Sequence, residues 1–406
     1  MDRFKKLFLS YLFFLIFFII FFLSAVHNSP PNNSMAEWVI NYQGGFTRRG
    51  LLGEFIFQFS QFFDLQLRKS FLGLQIAIYL GYFYCIYLLF HKIRYNYIFS
   101  LAIFSPLFFV FSLTELEALG RKDILMFLVF ITNFIIYDKF KNLNYNYLYF
   151  FLSFPIVFLT HEIYIIYTCY FFTFFIILEK KIDLFFIFKM ISIFIIVLFF
   201  LYLISVNEYS QENLNLLCEN LKNKSNENCG LAPHSMIIDI AGYQSEIGWK
   251  LPHVIRYIGI FLIGFFGLII VLCFSKINPA KTNSYIAKLN LKVIFLILAL
   301  PSILPFLTAV DSGRYSSMAY TFPCIFYFGL LKIGVVNFDY NRVDLLIEKT
   351  FLRSKKYKII FLILICFTWT PKAVYHEDIS SLPLYRTIIK TKYFIGNFKN
   401  FSDNSL

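Results

Sequence analysis

The run Asn41-Tyr42-Gln43-Gly44-Gly45-Phe46-Thr47-Arg48-Arg49-Gly50-Leu51-Leu52-Gly53-Glu54 sets four glycines, two adjacent arginines and a carboxylate in fourteen positions of an otherwise apolar chain. Adjacent guanidinium forks match the oxygens of a phosphate or carboxylate. Glycine lets the backbone approach a ligand closely or take up positive φ. The plainer reading is a turn after a membrane helix, its arginines lying among lipid headgroups. Glu37 stands just upstream in the same polar stretch.

Three further clusters interrupt apolar runs. In Thr114-Glu115-Leu116-Glu117-Ala118-Leu119-Gly120-Arg121-Lys122-Asp123, Glu117 and Arg121 have i,i+4 spacing and could pair on a helix. Arg121 and Lys122 beside Asp123 also suit an anionic headgroup or diphosphate. Thr160-His161-Glu162 follows Pro155; ionisable groups inside an apolar run are costly, and His titrates near neutrality. Asp311-Ser312-Gly313-Arg314-Tyr315 offers either an i,i+3 bridge or a fourth site element.

Together these residue types fit transfer from a phosphate-linked donor. Arg48, Arg49, Arg121, Lys122 and Arg314 would hold the donor phosphate and stabilise the charge that develops on it. A carboxylate would take the proton of an acceptor hydroxyl. Glu37 is the leading base, with Glu162, Asp123 and Asp311 as competitors and His161, Glu54 and Glu117 as polar neighbours. A divalent cation on His161, Glu162 and Asp311 is conceivable, but no recognised ligand spacing supports a metal site. No P-loop, Rossmann glycine pattern, serine-hydrolase elbow or Cys-x-x-Cys is present, which argues against ATP-driven work and covalent nucleophile chemistry.

The elements that must position these groups are membrane helices. The 406 residues are 59% hydrophobic and 21% aromatic, with a mean hydropathy of +0.66. A soluble chain of that length would expose too much apolar surface, so lipid is the solvent. The net charge of +13 fits cytoplasmic basic loops and, without aromatic-basic interleaving in a polar domain, does not indicate nucleic acid. The expected fold is an all-α polytopic membrane protein of about eleven spans. They run roughly over 7–26, 70–90, 97–113, 123–137, 146–160, 163–178, 184–205, 253–274, 290–310, 317–335 and 357–373. An amphipathic interfacial helix is expected over 51–64.

Placing the N-terminus in the cytoplasm puts a basic loop at every internal connection. The 206–252 loop then falls outside, where Cys218 and Cys229 could form a disulfide. Every candidate residue above, with His234 and Asp239, falls on that outer face. One transmembrane domain is expected over 1–373, with the first outer loop and interfacial helix at 27–69, and an extracytoplasmic tail over 374–406.

With these residues in place, the chain resembles the polytopic membrane glycosyltransferases of the GT-C class, and in layout the Wzy-type repeat-unit polymerases of bacterial surface polysaccharides. The resemblance implies a multi-pass enzyme of the bacterial inner (plasma) membrane. Its partners would be a polyprenyl-phosphate or polyprenyl-diphosphate sugar, a saccharide acceptor and membrane lipid. Glu37 resembles the acidic residue of the first outer loop, usually an Asp. Residues 51–64 resemble the helix that follows, Arg48 and Arg49 the donor-phosphate contacts, and residues 311–315 the polar motif at the outer end of a late span. Single-sugar transfer and repeat-unit polymerisation remain open, and a flippase of lipid-linked saccharides or a non-catalytic scaffold are the rivals. All of these readings require the four clusters to converge on one anion-sized hollow.

Overall fold

Lipid cannot satisfy backbone polar groups, so an apolar chain of this kind must pair them within helices. The computed structural model describes residues 3–27, 33–207, 209–234, 236–237, 251–308, 311–373 and 380–403, and these are almost wholly α-helical. In chain order the helices are α1 Arg3–His27, α2 Asn33–Ala36, α3 Leu51–Phe62, α4 Leu67–Phe90, α5 Tyr97–Ile103, α6 Phe109–Thr114, α7 Asp123–Phe140, α8 Leu143–Thr160, α9 Tyr164–Leu178 and α10 Leu184–Val206. They continue as α11 Gln211–Ser225, α12 Leu231–His234, α13 Leu251–Cys273, α14 Ser284–Ala287, α15 Leu291–Ala299, α16 Leu304–Thr308, α17 Ser312–Lys332, α18 Tyr340–Glu348, α19 Lys355–Cys366 and α20 Pro383–Asp403. Two short antiparallel strand pairs, Ser275–Ile277 with Val336–Phe338 and Thr370–Pro371 with Ser380–Ser381, complete the fold. Asp239 and parts of the 206–252 loop and the 374–406 tail lie outside the described residues.

Among the described residues four helices are long and apolar enough to cross a bilayer unaided: Lys5–His27, Leu67–Phe90, Leu184–Val206 and Val254–Cys273. Several other expected spans are not continuous helices. The 97–113 span is two short helices, α5 and α6, separated at Ser105-Pro106, where proline cannot carry the hydrogen-bond ladder. The break is satisfied by protein: Ser105 donates to the Gly264 carbonyl of α13 at 2.9 Å. The 290–310 span is likewise divided into α15, a 3-10 turn over Leu300–Ile303 and α16, with Pro301 and Pro305 in the divided region. The 357–373 span ends as a helix at Cys366.

The centre of the bundle is α17, which is buried from Ser312 to Leu330. It runs parallel to α7, and the two are tied at both ends. Arg314 meets Asp123 at one end, and Lys332 lies 3.5 Å from Asp138 at the other. Between these ties the seam is aromatic. Phe127 and Phe130 meet Phe322 with ring centroids 5.3 Å apart, and Phe134 meets Phe326 at 6.0 Å. Such edge and tilted contacts suit the aromatic quadrupole and fill volume without any polar atom to satisfy. Asp123 and Asp138 are 15 residues apart on α7, about 22 Å at 1.5 Å per residue, so the ties bracket most of a membrane core.

The expected amphipathic helix is present as α3. It buries Gly53, Ile56, Phe57 and Ser60 and exposes Phe55, Phe59, Phe62 and Phe63. Its docking against the turn and irregular chain over 37–41 depends on Gly53, where an added Cβ would stand 1.8 Å from the Ile40 carbonyl oxygen. The glycines of this stretch therefore serve approach of protein to protein. A Cβ at Gly44 would likewise lie 2.0 Å from the Asn213 carbonyl oxygen of α11. That helix begins with a Ser210–Asn213 capping box, is tied from Cys218 within it to Cys229 beyond its end by a disulfide, and covers the 41–45 loop. Asn220 and Lys224 donate to the carbonyl and side-chain oxygens of Gln43 at 3.2 and 3.0 Å.

Gly53→Ala should lower stability by about 1–3 kcal/mol, the usual cost of overpacking. Gly73→Ala on α4 meets no atom within 4 Å and should be neutral or stabilising by up to about 1 kcal/mol. Thermal midpoints in detergent check both, and equal shifts would contradict the close approach at Gly53.

An ionic cluster at one end of the bundle

The candidate site grows from a charge in an awkward place. Arg314 sits in the first turn of α17, where the helix dipole disfavours a cation and the side chain is buried. Three carboxylates compensate. Arg314 donates from Nε and Nη2 to the two oxygens of Asp123, at 2.5 and 2.7 Å. Its Nη1 donates to Asp311 at 3.0 Å and lies 3.4 Å from Glu37 Oε1. Asp123 opens α7, so its charge is favoured by that helix dipole.

Arg121 is the second buried guanidinium. It pairs with Glu37 Oε1, lies 3.9 Å from Asp311, and donates from Nε to the Glu117 carbonyl at 2.7 Å. Glu117 and Arg121 thus do not form the i,i+4 side-chain pair that their spacing allows. Gly120, at φ +76°, turns the chain between α6 and α7 and delivers Arg121 to Glu37, leaving the Glu117 side chain exposed. Glu37 has its other oxygen, Oε2, buried with no hydrogen-bond partner. Burial would push this carboxyl up, but Arg121 and then Arg314 outweigh it and hold it well below the usual range.

The third part lies at the α8–α9 break, where Thr160 ends one helix and Tyr164 begins the next. Arg49 grips Glu162 in a forked contact, Nε to Oε2 at 2.8 Å and Nη2 to Oε1 at 2.5 Å. Arg48 Nε lies 3.6 Å from the same carboxylate. His161 Nε2 faces Arg314 Nη2 at 2.9 Å. The His161 Nδ1 accepts from the Ile163 amide at 3.4 Å and lies 3.6 Å from Glu162 Oε2. Burial, followed by Arg49, pushes the imidazole down to about 4, so His161 is neutral at pH 7.

Lys122 is almost wholly buried. It donates to the Arg49 carbonyl at 2.8 Å and sits 5.9 Å from the centre of the Trp38 ring. Burial lowers its ammonium to about 7, with Glu37 opposing and Arg49 adding to the fall. Five cationic side chains therefore face the four carboxylates Glu37, Asp123, Glu162 and Asp311, a surplus of one charge while Lys122 is protonated.

Of the expected site residues, Glu37, Arg48, Arg49, Arg121, Lys122, Asp123, His161, Glu162, Asp311 and Arg314 converge. Glu54 does not: it accepts from the Tyr42 amide at 3.0 Å and from Gln43 and Gln58 at 2.8 and 2.6 Å, bracing its own loop. Among the described residues the cluster does not open on an anion-sized hollow between Arg121, Asp123 and Arg314. Beside Arg121, Asp123 and Arg314 the free space is about 20 Å³, bordered by Tyr79, Ser112 and Ser317, room for about one water. The arginines close on the protein's own carboxylates instead. Among the described residues no group of three His, Cys, Asp or Glu side chains is arranged to hold a metal ion.

The sequence reading missed the groups that hold the cluster. Trp38 Nε1 and Gln75 Nε2 both donate to the Gly120 carbonyl, and Tyr79 accepts from the Gly120 amide at 3.2 Å. His27 donates to Gln75 at 2.8 Å. Glu115 accepts from the Ala373 amide at 2.9 Å and pairs with Arg386 of α20. Gln75 could have been noticed as a lone amide in an apolar span.

The chain matches no known protein-family model, no curated protein and no solved structure.

Because His161 resists protonation when folded, the unfolded chain binds that proton first, and stability falls as pH drops from about 6.5 toward 4. His161→Gln should flatten thermal stability over that window. A slope equal to wild type would assign the titration to another group.

Proposed function

We propose that this protein is a membrane glycosyltransferase that uses a polyprenyl-linked sugar donor at the outer face of the bacterial inner membrane. In this reading the chain makes eleven crossings with its N-terminus in the cytoplasm, several through helices broken at proline, and the ionic cluster faces outward. The observation that carries the proposal is the meeting of Glu37, Asp123, Arg314, His161 and Glu162 from separate parts of the chain, with Glu37 Oε2 buried and unpartnered. Burying so many charges costs desolvation that packing alone does not require. Perturbed ionisable groups gathered at one point are the mark of a functional site.

The chemistry follows from the charge balance. In the closed cluster Glu37 is ionised but weakly basic, because two guanidiniums share its charge. A donor phosphate that draws Arg121 and Arg314 toward itself removes that stabilisation and raises the proton affinity of Glu37. The free Oε2 is then placed to accept the proton of a sugar hydroxyl as it attacks the anomeric carbon. The guanidiniums remain to stabilise the departing phosphate. Single-sugar transfer and repeat-unit polymerisation use this same chemistry. A flippase of lipid-linked saccharides is less well supported, because the ring contacts between α7 and α17 are all phenylalanine and offer a polar cargo no partner.

Glu37→Gln keeps the shape and removes the base. Transfer of labelled sugar from a polyprenyl-phosphate donor to an envelope saccharide acceptor should fall about 10²- to 10⁴-fold, the usual weight of a general base, with the protein still monodisperse in detergent. Wild-type turnover by the variant would remove Glu37 from the mechanism.

A further inference from the structure

The four guanidiniums of the cluster are not equally accessible. The Arg121 and Arg314 side chains are 8% and 4% exposed and paired with carboxylates as deeply buried. The Arg48 and Arg49 side chains are 35% and 19% exposed, and their partner Glu162 is 23% exposed. Any anion arriving from solvent or the lipid interface meets this outer pair first. The place it would take is already filled by a carboxylate in a forked geometry, the geometry in which a guanidinium binds a phosphate.

Glu162 is also mounted so that it can leave. It lies in the irregular turn between α8, which carries Pro155 within it and ends at Thr160, and α9. Its departure would leave the Arg49 fork and the Arg48 guanidinium around one vacated position, with the His161 ring beside it. Lys122 holds the main chain of Arg49 from below and keeps the fork in place.

We infer that Arg48 and Arg49 form the binding site for a phosphate monoester or diester, and that Glu162 is its built-in occupant, displaced when the ligand binds. This rests on the transferase reading for the identity of the ligand, while the exchange itself rests on the Arg49–Glu162 geometry. The carboxylate keeps the arginines charged, ordered and unavailable to weak anions such as chloride. A ligand with two or more phosphate oxygens and an apolar tail to hold it at the membrane would compete successfully.

The test is binding of two probes, inorganic phosphate and geranyl phosphate, to the detergent-purified full chain, measured by calorimetry for wild type, Glu162→Gln and Arg49→Ala. Glu162→Gln should bind geranyl phosphate at least about tenfold tighter, about 1.4 kcal/mol, and inorganic phosphate detectably but more weakly. Arg49→Ala should lose binding. Thermal midpoints verify that each variant is folded. If wild type binds geranyl phosphate and Glu162→Gln binds it no tighter, the displacement is wrong while the transferase reading stands. If neither probe binds wild type or Glu162→Gln, both fail. Equal affinity for the two probes would make the site one for free phosphate and overturn its assignment to a lipid-linked ligand.

Discussion

A guanidinium buried in the first turn of the central helix cannot exist alone. Leaving Arg314 without anions would cost several kcal/mol, and the chain must bring carboxylates to it from wherever they lie in sequence. Asp123 opens α7, Asp311 precedes α17, and Glu37 follows α2. This one requirement therefore locks three remote segments together at the same end of the bundle. The parallel run of α7 and α17, clamped again at Asp138 and Lys332, holds that end at a fixed distance from the other.

The rest of the structure keeps those anions in position. The turn at Gly120 is pinned by Trp38, Gln75 and Tyr79, so Arg121 and Lys122 leave it in defined directions. Residues 370–373 insert between Glu115 and the start of α17: the Ala373 amide donates to Glu115 and its carbonyl accepts from Gly313 at 3.1 Å. Arg386 and Lys390 of α20 tie the C-terminal helix to Glu115 and Thr114. Helix α11 and its disulfide cover the loop that carries Arg48 and Arg49. Contacts from remote parts of the chain thus close around the cluster and leave Glu37 Oε2 as its buried unpartnered oxygen.

The helical class, the break at His161-Glu162, the amphipathic helix after Arg49 and most of the residues that meet in the cluster were legible in the sequence. The reason is common to them: a polar residue in an apolar run carries a cost that demands a partner. Pairings were not legible. Glu117 and Arg121 have helical spacing, but a positive-φ glycine between them redirects the arginine. Glu54 sits in the most suggestive stretch of the chain and yet serves only to brace it. Where five cations suggested a hollow for an anion, four carboxylates of the chain meet them, a balance set by packing that no local pattern records. Over 97–113 and 290–310 the helices are divided in regions that carry Pro106, Pro301 and Pro305, which a reading of apolar runs alone does not resolve.

The most direct measurement of the central claim is a double-mutant cycle on Arg314 and Asp123, using Arg314→Gln, Asp123→Asn and the pair, with unfolding followed in detergent. Contact at 2.5 and 2.7 Å inside a dry bundle requires the two losses to be strongly non-additive, with a coupling of about 2 kcal/mol or more. Additive losses would mean that these residues do not meet, and the cluster and every role assigned to it would fall together.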